Sequence, residues 1–225
     1  MSYFTWTLRN FVVEPAAACV ISRVDVPNIG DEVHHTGWNA CSSCHDKATE
    51  KRSHLIVPCL NSDRIYIINV EKPRGIYLQH TIEPSKLHSL NLSFPHTSHC
   101  LADGNIMIST LGEANGKPSG NFLLLDGKTF EPKGTWPSDG KTVPFNYDFW
   151  YQPRGNIMIS TEWGSPNHIK KGSQYKRIRI KSFFHSNLLM LSVESDVLAL
   201  ADKDYRPFVE DYMNKLTYYL NMPNS

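Results

Sequence analysis

No stretch of this chain stays apolar for the roughly 18 to 20 residues that a membrane-spanning helix needs, and neither sign of charge dominates it. With 23 Lys and Arg against 22 Asp and Glu, the formal net charge is +1. That balance gives no electrostatic reason to propose nucleic acid or an anionic bilayer as the main partner, and no nucleic-acid partner is expected. The start, "MSYFTWTLRNFVVEPAAACV", carries an early Arg9, but Thr, Arg, Asn and Glu interrupt its apolar residues, so no export signal is read there. Five cysteines in 225 residues are too sparse, and odd in number, for a disulfide scaffold; reduced thiols in the cytosol fit better. "LGEANGKPSG" lacks the terminal Lys-Ser/Thr of a phosphate loop. No Ser-His-Asp order or paired-carboxylate signature stands out either, so the catalytic groups stay unassigned. The composition, 40% hydrophobic and 20% charged, is that of an ordinary folded domain.

What is present is a repeat. "GNIMIST" occurs at Gly104–Thr110 and again at Gly155–Thr161, 51 residues apart, a spacing that suits propeller blades or similar arrays. Turn formers precede both copies, "HCLADGNIMIST" and "YQPRGNIMIST", and each copy reads as a strand returning into a sheet. "NSDRIYIINVE" (61–71) is a third segment of the same kind. "GNFLLLDGKTFEPKGTW" (120–136) reads as two strands around a "DGKTF" turn, the outer hairpin of a blade. From Glu32 to Gly172 the chain is therefore expected to be short strands and turns.

Around Ser173 the character changes. "SQYKRIRIKSFF" is basic and alternating. Beyond it Leu198, Leu200, Phe208, Val209, Tyr212, Met213 and Leu216 fall at helical spacing, with Asp196 or Asp202 as N-caps. The segment 173–225 is expected to be a helical tail.

Two stretches are rich in ligand atoms. "HHTGWNACSSCH" (34–45) holds three histidines and two cysteines. Cys41 and Cys44 have CxxC spacing, but a structural zinc site needs a second pair, and Cys59 and Cys100 are single. A thioredoxin-like dithiol lacks its βαβ context, so a plain loop is the better reading of the cysteines. His34 and His35 would point to opposite faces of an extended strand, whereas a turn could converge them. "FPHTSHC" places His96 and His99 three apart. Imidazoles with an open position suit a redox or catalytic metal, and two such clusters on neighbouring blades could meet where inner strands converge. Satisfied polar histidines are the alternative. His45, His54, His80, His88, His168 and His185 are isolated and read as surface residues.

At this point "DEVHHTGWNACSSC", "FPHTSHCLADGNIMIST", "NFLLLDGKTFEPKGTW" and "YDFWYQPRGNIMISTEWGSPN" together resemble the selenium-binding protein family, whose members include methanethiol oxidases. The resemblance runs from about Cys19 to Gly172 and covers the N-terminal portion of the family only. It implies an all-β fold, about three of the seven blades of a β-propeller at 19–172, after an unassigned segment 1–18 and before the helical tail 173–225. It also implies copper-dependent oxidation of methanethiol by oxygen and water to formaldehyde, hydrogen sulfide and hydrogen peroxide. The copper would be held by His34 and His35 with His96 or His99, and the substrate would be a small thiol.

The departures bear on function. The family chain is longer, and its later blades carry another ligand histidine in a motif absent here. The chain therefore reads as a fragment of such an oxidase, or alternatively as a non-catalytic selenium- or copper-binding or protein-interaction protein. The family's selenium-attaching cysteine falls at Ala18, with Cys19 one position along. The family further implies a cytoplasmic location, with nuclear presence and peripheral membrane association. "LLMLSVESDVLALADKDYRPFVEDYMNKL" is similar to the C-terminal helices of plant-type haem peroxidases, but no haem-binding histidine motif accompanies it and no haem is assigned.

Overall fold

Short apolar runs bounded by turn residues become strands along most of the chain. The computed structural model describes residues 9–14, 19–41, 51–152, 157–162, 164–169, 179–185 and 188–194. Strands β1 (Arg9–Glu14) and β2 (Cys19–Asp25) form an antiparallel ribbon, with Arg9 opposite Asp25. Next comes a four-stranded antiparallel meander of β3 (Gly37–Trp38), β4 (His54–Pro58), β5 (Ile65–Asn69) and β6 (Tyr77–Ile82). A short helix α1 (Pro84–His88) leads to a second meander of β7 (Ser93–Cys100), β8 (Ile106–Gly112), β9 (Asn121–Leu125) and β10 (Pro132–Trp136). The last sheet holds β11 (Asn146–Gln152), β12 (Ile157–Glu162), β13 (Arg179–His185) and β14 (Leu188–Glu194), with α2 (Pro166–Ile169) between β12 and β13.

The two copies of the heptapeptide land in equivalent places, since β8 and β12 are each the second strand of their sheet. "NSDRIYIINVE" does form a strand, β5, but it is the third strand of its sheet; "HLIVP" in β4 holds the equivalent place. The "DGKTF" turn joins β9 to β10 as expected. Asp126 Oδ1 accepts from the Lys128 and Thr129 amides, each at 2.9 Å, and Phe130 takes a left-handed φ of 62°.

The sheets stack face to face, and alternation along single strands shows it. In β5, Ile65 and Ile67 join Ile56, Ile106, Ile108, Leu123 and Leu125 in the core between the two meanders. Tyr66 and Ile68 turn the other way, to Val26, Val57 and Ile76 under the β1–β2 ribbon. In the second meander Met107 and Phe122 point away from that first core and meet Phe149 and Met158 of the last sheet. A strand buried on both faces must be apolar throughout, which is why "IYIIN" is continuous rather than alternating. Each fully buried Ile or Leu contributes about 1.5–3 kcal/mol.

The last sheet departs from the meander. β14 lies parallel to β12, with Ile157 opposite Leu189 and Thr161 opposite Val193, while β13 meets β12 only at Glu162–Arg179. β13 and β14 pair antiparallel, from Arg179 opposite Glu194 to His185 opposite Leu188. The apolar "LLMLSVE" then takes the inner place and the basic "RIKSFFH" the outer, as expected for a strand flanked on both sides. Residues 179–185 and 188–194 are thus strands inside the segment expected to be helical. A short apolar run does not distinguish the two, and the helical spacing read beyond 194 lies outside the described residues. Among the described residues no helix is long and apolar enough to cross a membrane.

Candidate metal centre

The innermost strand of each sheet carries a bulge, and all three bulges present a ring to the same place. Val33 bridges Cys59 and Gly37 pairs with Ile56, which leaves three residues, 34–36, facing two. In β7 the register shifts between Pro95 and Ser98, so that His96 and Thr97 face Ser109 alone. In β11 the shift falls between Asn146 and Phe149, so that Tyr147 and Asp148 face Thr161 alone. One extra residue re-aims a side chain and frees an amide. Here neighbouring hydroxyls satisfy the freed amides: Ser109 Oγ accepts from the Thr97 amide at 3.1 Å, and Thr161 Oγ1 from the Asp148 amide at 3.1 Å.

Close backbone approach then brings the bulges together. A Cβ on Gly37 would collide with Ser98 O and Oγ, so only glycine lets β3 lie this tightly against β7. The Leu60 amide donates to the Glu32 carbonyl at 2.7 Å, fixing the chain just before His34. At the start of β7, Phe94 takes a φ of 59° while its amide, the Ser93 hydroxyl and His88 Nε2 all converge on the Asp63 carboxylate.

The result is a cluster of imidazoles. Among the described residues, His34, His35 and His96 are the one group of metal-ligating side chains whose ligand atoms all lie within 4.8 Å of one another. Ring centroids are 5.1 Å apart for His34–His35, 4.9 Å for His34–His96 and 4.5 Å for His35–His96. His96 is 0% exposed, and its Nε2 has no hydrogen-bond partner among the described residues. Its Nδ1 lies 2.8 Å from Thr97 Oγ1, which fixes the ring as an oxygen behind a metal-bound imidazole does. Burial, then the neighbouring His35 and His34, lower the His96 pKa from 6.5 to about 3, with a hydrogen bond to the Tyr147 backbone opposing. The ring is therefore neutral at physiological pH, the state a ligand requires. An orphaned buried nitrogen is costly unless something fills it, and this one faces two further imidazoles. The donor set fits a copper, zinc or nickel ion.

His99, the other candidate of "HTSHC", is elsewhere. Its Nε2 donates to the Phe149 carbonyl at 2.9 Å, its ring meets the Phe149 ring edge-on at 4.9 Å, and burial lowers its pKa. His99 is a packing residue, and His96 is the member of the pair at the cluster. Cys19 opens β2 as an exposed free thiol outside the cluster, and Cys41 is not part of it either; Cys44 and His45 lie outside the described residues. Of the isolated histidines, His88 is exposed and bonded to Asp63, whereas His54 and His80 are half-buried, His54 being bonded to Ser53 and Gln79; the side chains of His168 and His185 lie outside the described residues.

Tyr147 is the residue that sequence reading missed. Its ring lies 4.0 Å from that of His96, and its hydroxyl lies 3.3 Å from His34 Nε2. Burial, Asp148 and Glu32 raise its pKa, so the phenol keeps its proton. The signal was in the repeat. Extending the match upstream sets "FPHTS" over "FNYDF", so that His96 and Tyr147 stand in register, and Phe94 and Phe145 share the left-handed backbone, with φ of 59° and 63°.

Stacked, mostly antiparallel sheets whose inner strands converge on an imidazole cluster define an all-β protein with a candidate metal centre. The sequence profile of the 56kDa selenium binding proteins matches residues 12–198, and the chain belongs to that family. The match begins inside the segment 1–18 and passes Gly172, taking in both strands of the supposed tail. Human methanethiol oxidase is 52% identical over 160 residues, covering 70% of this chain and 34% of that protein. The Xenopus laevis methanethiol oxidase is 48% identical over 174 residues, covering 76% and 37%. A hypothetical selenium-binding protein from Sulfolobus tokodaii superposes with a TM-score of 0.64 at 35% identity, covering 79% of this chain and 41% of that one. The chain thus spans about a third of the length of the curated relatives it matches.

Proposed function

We propose that this chain is a segment of a copper-dependent methanethiol oxidase, with its three four-stranded sheets serving as blades of a larger β-propeller. The observation that carries the reading is the unpartnered, buried Nε2 of His96 turned toward His34 and His35. These three imidazoles would hold the copper. When bound, copper supplies a redox centre that takes electrons from a small thiol and passes them to oxygen. The overall reaction, methanethiol with oxygen and water to formaldehyde, hydrogen sulfide and hydrogen peroxide, balances in atoms and electrons.

The protein's own groups do the rest. Thr97 orients His96, burial keeps that imidazole neutral, and the stacked cores keep its surroundings dry. His34 and His35 are exposed, so a thiol would approach from their side. Family membership also supports a cytoplasmic and nuclear location with peripheral membrane contact, whereas the family's selenium-attaching position holds Ala18, with Cys19 beside it.

A second reading, copper or selenium binding without turnover, asks only for the three imidazoles and the exposed thiol of Cys19. The test is to load the purified chain with Cu(II), remove free metal, count copper per chain and measure hydrogen sulfide released from methanethiol. Copper in the wild type that disappears in His96→Ala, with sulfide release, supports the oxidase. Copper without sulfide selects the binding reading. A wild-type chain that retains no copper removes the oxidase and the copper-binding readings together.

A further inference from the structure

His34 has a different neighbour on each ring nitrogen, and the two neighbours pull in opposite directions. Nδ1 lies 3.4 Å from Glu32 Oε1. A carboxylate is an acceptor only, so it favours the tautomer with the proton on Nδ1 and the lone pair on Nε2. Glu32 is itself held: Asn61 Nδ2 donates to its other oxygen, and its backbone carbonyl accepts from Leu60. Nε2, the nitrogen a metal would need, faces the Tyr147 hydroxyl at 3.3 Å. With the proton on Nδ1, the phenol is the donor and the His34 lone pair is occupied. No such partner reaches His96 Nε2.

We infer that Tyr147 is a latch on the metal centre: its hydroxyl holds the His34 Nε2 lone pair in the metal-free protein and must release it before a metal can be bound, while Glu32 sets that nitrogen for ligation. Both are positioning residues acting through His34, and the inference rests on the metal-centre reading. The repeat register supports it, because Tyr147 occupies in its bulge the place that His96 occupies in the preceding one. One bulge offers an open nitrogen, and the next offers a group that competes for a neighbour's.

The two residues therefore predict changes of opposite sign. Tyr147→Phe keeps the ring against His96 and takes away the hydroxyl that competes for His34 Nε2, so affinity should tighten about fivefold. Glu32→Gln removes the orienting charge, so affinity should weaken about tenfold or more. The experiment is Cu(II) titration of the metal-free 225-residue chain and both variants against a chelator of known affinity. Alongside it, the ¹⁵N shifts of His34 in the metal-free proteins report whether Nε2 has lost its donor in Tyr147→Phe. Tightening in Tyr147→Phe with that shift, and weakening in Glu32→Gln, establishes the latch. Affinity unchanged or weaker in Tyr147→Phe overturns it while leaving the metal centre standing. An unchanged Glu32→Gln overturns the role of Glu32. Wild-type protein that takes up no copper ends the metal-centre reading and the latch with it.

Discussion

The two copies of "GNIMIST" occupy matching strands, yet the bulges opposite them end differently. At β8, the Ser109 hydroxyl takes the freed Thr97 amide and donates onward to the Tyr147 carbonyl at 2.7 Å, tying one sheet to the next. At β12, the Thr161 hydroxyl takes the Asp148 amide and donates back to the Asp148 carbonyl at 3.2 Å, closing on its own bulge. The first bulge presents an imidazole and the second a phenol. The repeat thus fixes a strand and a kink, while the residue set at the kink decides the chemistry.

The strongest way to break this comparison is to exchange the rings. His96→Ala should abolish copper retention, measured as metal per chain after desalting. Tyr147→His should instead add a nitrogen ligand, seen as additional nitrogen hyperfine coupling in the copper EPR spectrum; an unchanged spectrum would mean the two bulges are not equivalent at the site. Next in size come the methionines of the two copies. Met107 and Met158 enter the same core cluster from opposite sheets, so truncating either to Ala should cost about 3 kcal/mol. The double variant should depart from additivity, as residues that share one core cluster do; urea denaturation reads all three.

The bulge hydroxyls come third. Ser109→Ala strands the Thr97 amide and cuts the tie between sheets, costing about 2 kcal/mol, whereas Thr161→Val removes the two bonds to Asp148 at a half-buried bulge without touching a tie between sheets, costing about 1 kcal/mol. Equal losses would show that the tie between sheets contributes nothing. The smallest effect at neutral pH lies beside the bulge that precedes β3, where Cys59 bridges Val33. Burial, then the charge of Asp31, push its thiol from 9.0 up to about 12. Between those values the unfolded chain has lost this proton and the folded chain keeps it. The contribution is therefore complete below pH 9 and declines as pH rises toward 12. Cys59→Ala should flatten that decline in urea midpoints taken from pH 7 to 11.

Much of this architecture is legible in the residues. Continuous "IYIIN" foretells a strand covered on both faces, "DGKTF" a hairpin, and "GNIMIST" two equivalent strands. The site is half legible. His34, His35 and the "HTSHC" pair are visible as donors, but choosing His96 over His99 needs the bulge, and a bulge exists only once strands have paired. Local alternation cannot report which partner residue is skipped. Tyr147 was hidden for a different reason: a phenol is not a usual ligand, so a search for donor atoms passes over it although the repeat aligns it with His96. The strands of the supposed tail were misread because "LLMLSV" is too short to show its period, and a parallel pairing with β12 depends on residues far upstream.

Burial of β5 on both faces has a kinetic consequence as well. Its five residues are all buried, with sheets packed on either side. Amides in such a strand exchange with solvent only when the surrounding layers separate, whereas an edge strand such as β10 exchanges by fraying. In deuterium the signals of Ile65 to Asn69 should persist longest, and their decay would time the opening of the whole stack rather than the motion of any single loop.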